Sequence, residues 1–367
     1  MRSAHAPTLR SSRRTKSFRH PRGSVIVLVL GLVTLGAFLI GQFIERSVTE
    51  MLVESRVVQA ARLRVEARSA LEASLAVLAD YQVLDGGLRA PVQGWGEPLA
   101  GMNLRPREGL KVRVAVEDES GLVSLPRLGA NDLIALGKRF GLKEAEAARL
   151  ADAILTWTHR DHSTTRLETS LRNYELANPP HRPPGRPMAS FDELAAIAGA
   201  REFFFTAEGQ ATLLYADFVR NVSLYDFPAP NLNSARPATL ALAGLDDSQA
   251  ARVIAYRDAR GPRAPGTPPY FRSLEEAKSL LGLTVPIGRF DTLARCLRVQ
   301  VTVQEGGSSF HLTVVVAPTG VDAPASQGAP AVGEKTTDLS LSDATQLHYP
   351  FKLLAYEETM ESAPPPS

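Results

Sequence analysis

The chain of 367 residues has one cysteine, Cys296. A lone thiol forms no intramolecular disulfide, so any exported part must fold without covalent staples. No Cys/His cluster has zinc spacing. Charge is nearly balanced, at +2. The chain as a whole therefore makes no case for a nucleic-acid partner. No Gly-rich phosphate loop or nucleophile motif follows a convincing strand, which argues against an enzyme. Two local absences carry more information. Residues 1–23 contain no acid, while Arg2, Arg10, Arg13, Arg14, Lys16, Arg19 and Arg22 make the segment strongly basic. Residues 45–82 contain neither Pro nor Gly.

Between these stretches lies Ser24–Ile44, an uncharged apolar run. It has about the ~20 residues that a membrane-spanning helix needs. The basic block in front of it places residues 1–23 in the cytoplasm and the bulk of the chain outside. A cleaved secretory signal fits less well: its apolar region is shorter, and Gln42-Phe43-Ile44-Glu45 is a poor cleavage site. Past Glu45, good helix formers continue without a breaker to about Gln82, and Asp85-Gly86-Gly87 ends the run. Val57, Ala61, Ala67, Leu71, Leu75 and Leu78 recur at helical spacing. The reading is one continuous helix of ~90 Å at 1.5 Å per residue. Its first half sits in lipid and its second half packs an apolar stripe on a soluble domain.

Leu110–Val116 alternates apolar and polar residues as a half-buried strand does. Glu117, Asp118 and Glu119 then read as a solvated turn. Strand patterns return at Cys296–Val303 and Phe310–Val316, with Gly306-Gly307 between them as a hairpin turn, and a third candidate spans Phe351–Tyr356. The expected fold is α+β, an antiparallel sheet interrupted by an all-helical insertion. The segments are 1–23 basic leader, 24–44 span, 45–120 rest of the long helix and first strand, 121–284 helical insertion, 285–356 returning strands and 357–367 disordered tail. Residues 318–345 read as a loose polar connection.

The insertion repeats itself. Gly141-Leu142 through Ala147-Ala148-Arg149-Leu150 corresponds to Gly244-Leu245 through Ala250-Ala251-Arg252-Val253, and Ser190–Leu194 corresponds to Ser273–Ala277. Each copy reads as two helices around a Gly turn, then a short helix capped by Ser with Glu three residues on. The first copy carries an extra proline-rich loop, residues 158–189. His159, Asp161 and His162 in that loop show no third metal ligand in evident spacing.

Gly23 closes the basic leader directly before the apolar run, an arrangement similar to a prepilin. Asn231–Leu240, Gly244-Leu245, Val253–Arg257 and Phe271–Glu276 resemble a helix-hairpin-helix unit, and so does Val114–Leu125 followed by Asp152–Trp157. In that order, from about Gly23 to about Val316, the series resembles the GspK minor pseudopilin family of type II secretion systems. The resemblance implies cleavage between Gly23 and Ser24 by a prepilin peptidase. Most prepilins carry Glu at the fifth mature position; here it is Leu28, and members of this family typically lack that Glu. An unpaired carboxylate in lipid is costly, and a subunit with no neighbour above it needs none.

The resemblance further implies a place at the pseudopilus tip with other minor pseudopilins, anchored in inner-membrane lipid with the bulk in the periplasm. It implies no catalytic residue and no nucleic acid. No cofactor is required, although calcium is associated with pseudopilins and Glu117, Asp118, Glu119 and Asp161 are the oxygen donors on offer. The loop after Trp157 departs from the family in being poorer in acids. Two alternatives share parts of the pattern. One is a membrane-anchored helix-hairpin-helix DNA-binding protein, favoured by Arg252, Arg257, Arg260 and Arg263 but opposed by Asp246 and Asp247 at the hairpin. The other is a minor pilin of a type IV pilus.

Overall fold

A computed structural model describes residues 24–100, 102, 106–260, 266–282, 286–319 and 349–361. The leader 1–23, with Gly23, and the connection 320–348 lie outside the described residues. Helix α1 runs Ser24–Leu84, and the chain divides into two compact units, one ending at Ala61 and one starting at Arg62. Continuity of α1 follows from residues 45–82, where nothing interrupts the i→i−4 ladder.

In the first unit α1 is long and apolar enough to cross a membrane, and none of its apolar window is buried. In the second unit the same helix buries Leu63, Ala67, Ala70, Leu71, Leu75 and Leu78. These positions step by three and four and so share one face. The expected stripe thus starts later than its periodicity suggests: Val57 and Ala61 are exposed, and Leu63 opens the buried face. Periodicity marks a potential face, and only a packed partner makes it a buried one.

That partner is a four-stranded sheet of order β1-β4-β5-β6, made of β1 (Leu110–Asp118), β4 (Leu297–Glu305), β5 (Ser308–Pro318) and β6 (Phe351–Glu361). All three pairings are antiparallel. The register sets Val112 opposite Val303, Val114 opposite Val301 and Val116 opposite Val299, so one face of the sheet is aliphatic. That face packs on the buried side of α1 with Trp95, Phe310, Leu312 and Phe351. Each fully buried Leu or Phe here contributes roughly 1.5–3 kcal/mol. Gly306, at φ +59, turns the β4–β5 hairpin as expected. Strand β6 runs to Glu361, which corrects the tail expected from residue 357. Its residues bond along β5 as far as Ser309↔Glu361, a non-local pairing that a polar composition hides.

The chain leaves the sheet after β1 and returns in β4, its direct neighbour. The residues between hold β2 (Val123–Ser124), α2 (Ala130–Arg139), α3 (Glu144–Thr158), α4 (Leu171–Glu175), α5 (Arg201–Phe204), α6 (Leu213–Asn221), β3 (Val222–Ser223), α7 (Pro237–Leu242), α8 (Asp247–Arg257) and α9 (Leu274–Leu281). They build two cores, one on Leu133, Ile154, Trp157, Phe204 and Phe218, the other on Leu240, Val253, Phe271, Leu281 and Phe290. The segment is not all-helical, which corrects that expectation. β2 and β3 pair in parallel, Val123 with Val222 and Ser124 with Ser223. Two-residue strands are too short to leave a periodic trace.

The helix pairs α2–α3 and α7–α8 turn alike. Leu142 N–H donates to Gly137 O and Leu245 N–H to Leu240 O, each over 3.0 Å, and Gly141 and Gly244 sit at φ +90 and +98. These bonds close each helix past a left-handed glycine.

Candidate functional site

Three features have the makings of a functional site. The first is the apolar stretch of α1. Ser24 is its first residue, and Leu28 is 62 % exposed. Val25, Phe38 and Phe43 are exposed to a similar degree. A soluble chain rarely presents contiguous apolar surface of this kind, and such a surface marks contact with lipid or with other proteins.

The second feature is the root of the inserted segment, where β1 ends and β4 begins. Glu117 is exposed, but Asp118 and Glu119 are buried, which corrects the solvated turn. Asp118 caps the short 3-10 turn Glu119–Gly121 and accepts from Ser120 N–H at 2.9 Å. It also accepts from the hydroxyls of Ser120 and Ser234 and from Asn231 Nδ2 at 2.6 Å. Burial pushes its carboxyl up to about 6, against the pull of those hydrogen bonds. Glu119 pairs with Arg298 at 2.5 Å, the arginine reaching over from β4.

Asn231 bridges further. Its amide also donates to Arg89 O at 2.7 Å, and its backbone N–H donates to Ser120 O at 2.8 Å. Asn233 then accepts from Phe271 N–H and donates to the carbonyls of Phe271 and Thr292. Gly121 lies so close to Ser234 that a Cβ would stand 2.6 Å from its carbonyl carbon. The root is therefore a densely bonded polar joint that fixes how the second core meets the sheet, with one Glu119 carboxylate oxygen buried and unpartnered among the described residues. Asn231, Asn233 and Ser234 were visible as the polar block Asn-Leu-Asn-Ser before a proline-started helix, but nothing in sequence showed that their partner is Asp118.

The third feature is the loop after α3. Asp152 is buried and accepts from the Thr169 hydroxyl, from Thr165 N–H at 3.2 Å, and meets His162 Nε2 at 2.8 Å. Burial alone would raise this carboxyl; the bonds from Thr169, His162 and Thr165 outweigh it and hold it below the usual range. His159 instead meets the Thr158 hydroxyl through Nδ1 at 2.8 Å. The two histidines thus answer to different partners.

The four oxygen donors suggested for calcium are not gathered. The Asp118 and Glu119 oxygens serve the root, while Asp161 belongs to the loop after α3. Among the described residues no group of three or more His, Cys, Asp or Glu is placed to hold a metal ion. Cys296 is buried, and burial raises its thiol well above the ordinary value.

The arginines that favoured a DNA partner are used inside the fold. Arg252 donates to the carbonyls of Leu280 and Leu281 at the end of α9. Arg257 donates to Leu232 O and Ala235 O at 3.0 and 2.8 Å, and Arg260 pairs with Asp258. Arg263 lies outside the described residues. At the hairpin Asp246 caps α8, accepting from Gln249 N–H at 2.8 Å, so a carboxylate occupies the place a phosphate would need.

An apolar N-terminal helix whose later half packs on an antiparallel sheet, with a mostly helical stretch between the neighbouring strands β1 and β4, defines a mixed helix and antiparallel-sheet protein. Residues 122–207 match the family model described as Type II secretion system (T2SS), protein K. The fold is similar to one in the crystal structure of the GspK-GspI-GspJ complex from the type 2 secretion system of enterotoxigenic Escherichia coli. That likeness has a TM-score of 0.54 at 14 % identity and covers 85 % of this chain and 100 % of that one. No curated protein matches. The family match thus covers residues 122–207, and the shared fold extends over most of the chain.

Proposed function

We propose that this chain is a minor pseudopilin of the GspK family that caps the tip of the type II secretion pseudopilus and assembles there with other minor pseudopilins to support protein export across the outer membrane. The observation that carries the reading is the placement of a large helical segment between adjacent strands β1 and β4 of a pilin-like sheet. A repeating subunit must accept a neighbour at both ends; a terminal one can carry such bulk. Leu28, where a repeating pilin has Glu, agrees with a subunit that has no neighbour above it.

In this reading residues 121–284 are an inserted domain built on two helix-hairpin-helix repeats, supported by the like turns at Gly141 and Gly244. The repeats serve as scaffold. The chain is made with its basic leader in the cytoplasm, is cut after Gly23 by prepilin peptidase, and begins at Ser24. It stays in the inner membrane through residues 24–44, with the bulk in the periplasm, until assembly. The role is structural and calls for no catalytic residue or cofactor.

The test is the intact mass and N-terminal sequence of the membrane-extracted protein, from cells with and without active prepilin peptidase. The expected chain begins at Ser24 only when the peptidase is present, and Gly23→Leu abolishes the cut. A chain that begins near Met1 in both cells would overturn the reading.

A further inference from the structure

A cleft of about 530 Å³ opens beside the end of α3, lined among others by His159, Arg160, His162, Glu175, Arg182 and Pro184. This size lies within the roughly 300–1,000 Å³ of small-ligand sites. Its formal charge is one-sided: two guanidiniums face one carboxylate, and two imidazoles add polar nitrogens. The chain as a whole is nearly neutral, at +2, so this concentration is local.

Both guanidiniums are free for a ligand. Among the described residues neither Arg160 nor Arg182 has a hydrogen-bond or ion-pair partner. Two other arginines of this segment are engaged, Arg186 with Glu193 at 3.2 Å and Arg149 with Glu202 at 2.7 Å, whereas Arg166 Nε is buried without a partner among the described residues. Arg160 and Arg182 are exposed residues at the cleft's edge. The Arg160 stem lies across Gly185, where a Cβ would stand 2.2 Å from Arg160 Cγ. Gly185 sits at φ +59 and donates its N–H to Trp157 O at 3.0 Å. A side chain at 185 would both strain the backbone and push the arginine away. His162, which also lines the cleft, is anchored through Nε2 to buried Asp152. A planar guanidinium matches a carboxylate bidentately.

We propose that this cleft binds a carboxylate, carried by an acidic peptide segment or by a free small acid. Arg160 and Arg182 grip the oxygens, and Glu175 weakens the hold by like-charge repulsion. The proposal stands apart from the tip-capping role and does not depend on it.

The test is calorimetric titration of the detergent-solubilised full-length protein with acetylated tetraglutamate, with tetraglutamine of the same length, and with citrate. Saturable binding of tetraglutamate but not tetraglutamine is expected for a peptide ligand. Tighter binding of citrate than of tetraglutamate identifies a free acid as the source. In either case Arg160→Ala with Arg182→Ala should weaken binding about tenfold or more, and Glu175→Gln should tighten it severalfold. Should the alanine pair misfold, Arg160→Lys with Arg182→Lys keeps the charge and should still weaken binding, because Lys cannot grip bidentately. Absence of binding by both acids at about 10 mM (roughly the weak limit of a specific site), or unchanged affinity in the arginine variants, overturns the proposal.

Discussion

Asn231 donates its side-chain amide to the carboxylate of Asp118 over 2.6 Å, joining residues 113 positions apart. Asp118 ends β1, and Asn231 stands before the helix that opens the second core. The bond closes the inserted segment onto the sheet at its base. The same amide holds Arg89 O, and the Asn231 backbone holds Ser120 O. Asn231→Ala removes both side-chain N–H donors, leaving Arg89 O without this partner and Asp118 with one bond fewer, at a cost of about 1–3 kcal/mol. Urea unfolding of the wild type and variant measures this; a loss below about 0.5 kcal/mol, typical of surface sites, would show that the joint is not the anchor described.

Asp118 gives that joint a pH dependence. Its folded-state carboxyl is raised to about 6. The sign follows: its contribution to stability is fully present below the unfolded value near 4 and is lost as pH rises through about 6. The shift corresponds to roughly 3 kcal/mol. Between pH 4 and pH 7 the wild type should therefore lose about 3 kcal/mol of unfolding free energy relative to Asp118→Asn, which does not titrate there. A constant difference across the window would count against a raised carboxyl.

Asp152 carries the opposite sign. Its carboxyl is held low by Thr169, His162 and Thr165. Its contribution is present above the ordinary carboxylate range and is lost as pH falls through the depressed value. Acidification should loosen the loop from His159 to Thr169 in the wild type. In Asp152→Asn the loop should be loose already at neutral pH. Limited proteolysis of the loop against pH checks both.

Gly121 is required by space. A methyl group there would meet the Ser234 backbone at 2.6 Å. Gly121→Ala should cost about 1–3 kcal/mol by overpacking. The loss should be non-additive with Asn231→Ala, since both act on one joint. A double-mutant cycle reads the coupling.

The apolar part of α1 should tolerate no charge. Leu35 is 54 % exposed, in the middle of the run. Leu35→Arg should disfavour membrane insertion by about 2.5–3.5 kcal/mol. The fraction of protein resisting alkaline extraction from membranes should fall accordingly, whereas Leu35→Ile should leave it unchanged.

Local patterns made much of this molecule legible. The uncharged run 24–44, the breaker-free stretch after it, the alternation of β1, β4 and β5 and the glycine turns at Gly141, Gly244 and Gly306 all follow from spacing and backbone preference. These forces act within a few residues of each other, so they leave a trace in the chain itself. Tertiary structure alone decided that the buried face of α1 begins at Leu63, that β6 extends to Glu361, and that Val123 pairs with Val222. It also turned Asp118 and Glu119 from an apparent solvated turn into the buried anchor of the insertion, and Arg252 and Arg257 of α8 into donors to backbone carbonyls of α9 and of the turn before α7. In each case the deciding partner lies far along the chain. Whether a carboxylate or a guanidinium meets water or a committed hydrogen-bond partner is settled only when packing brings the two together.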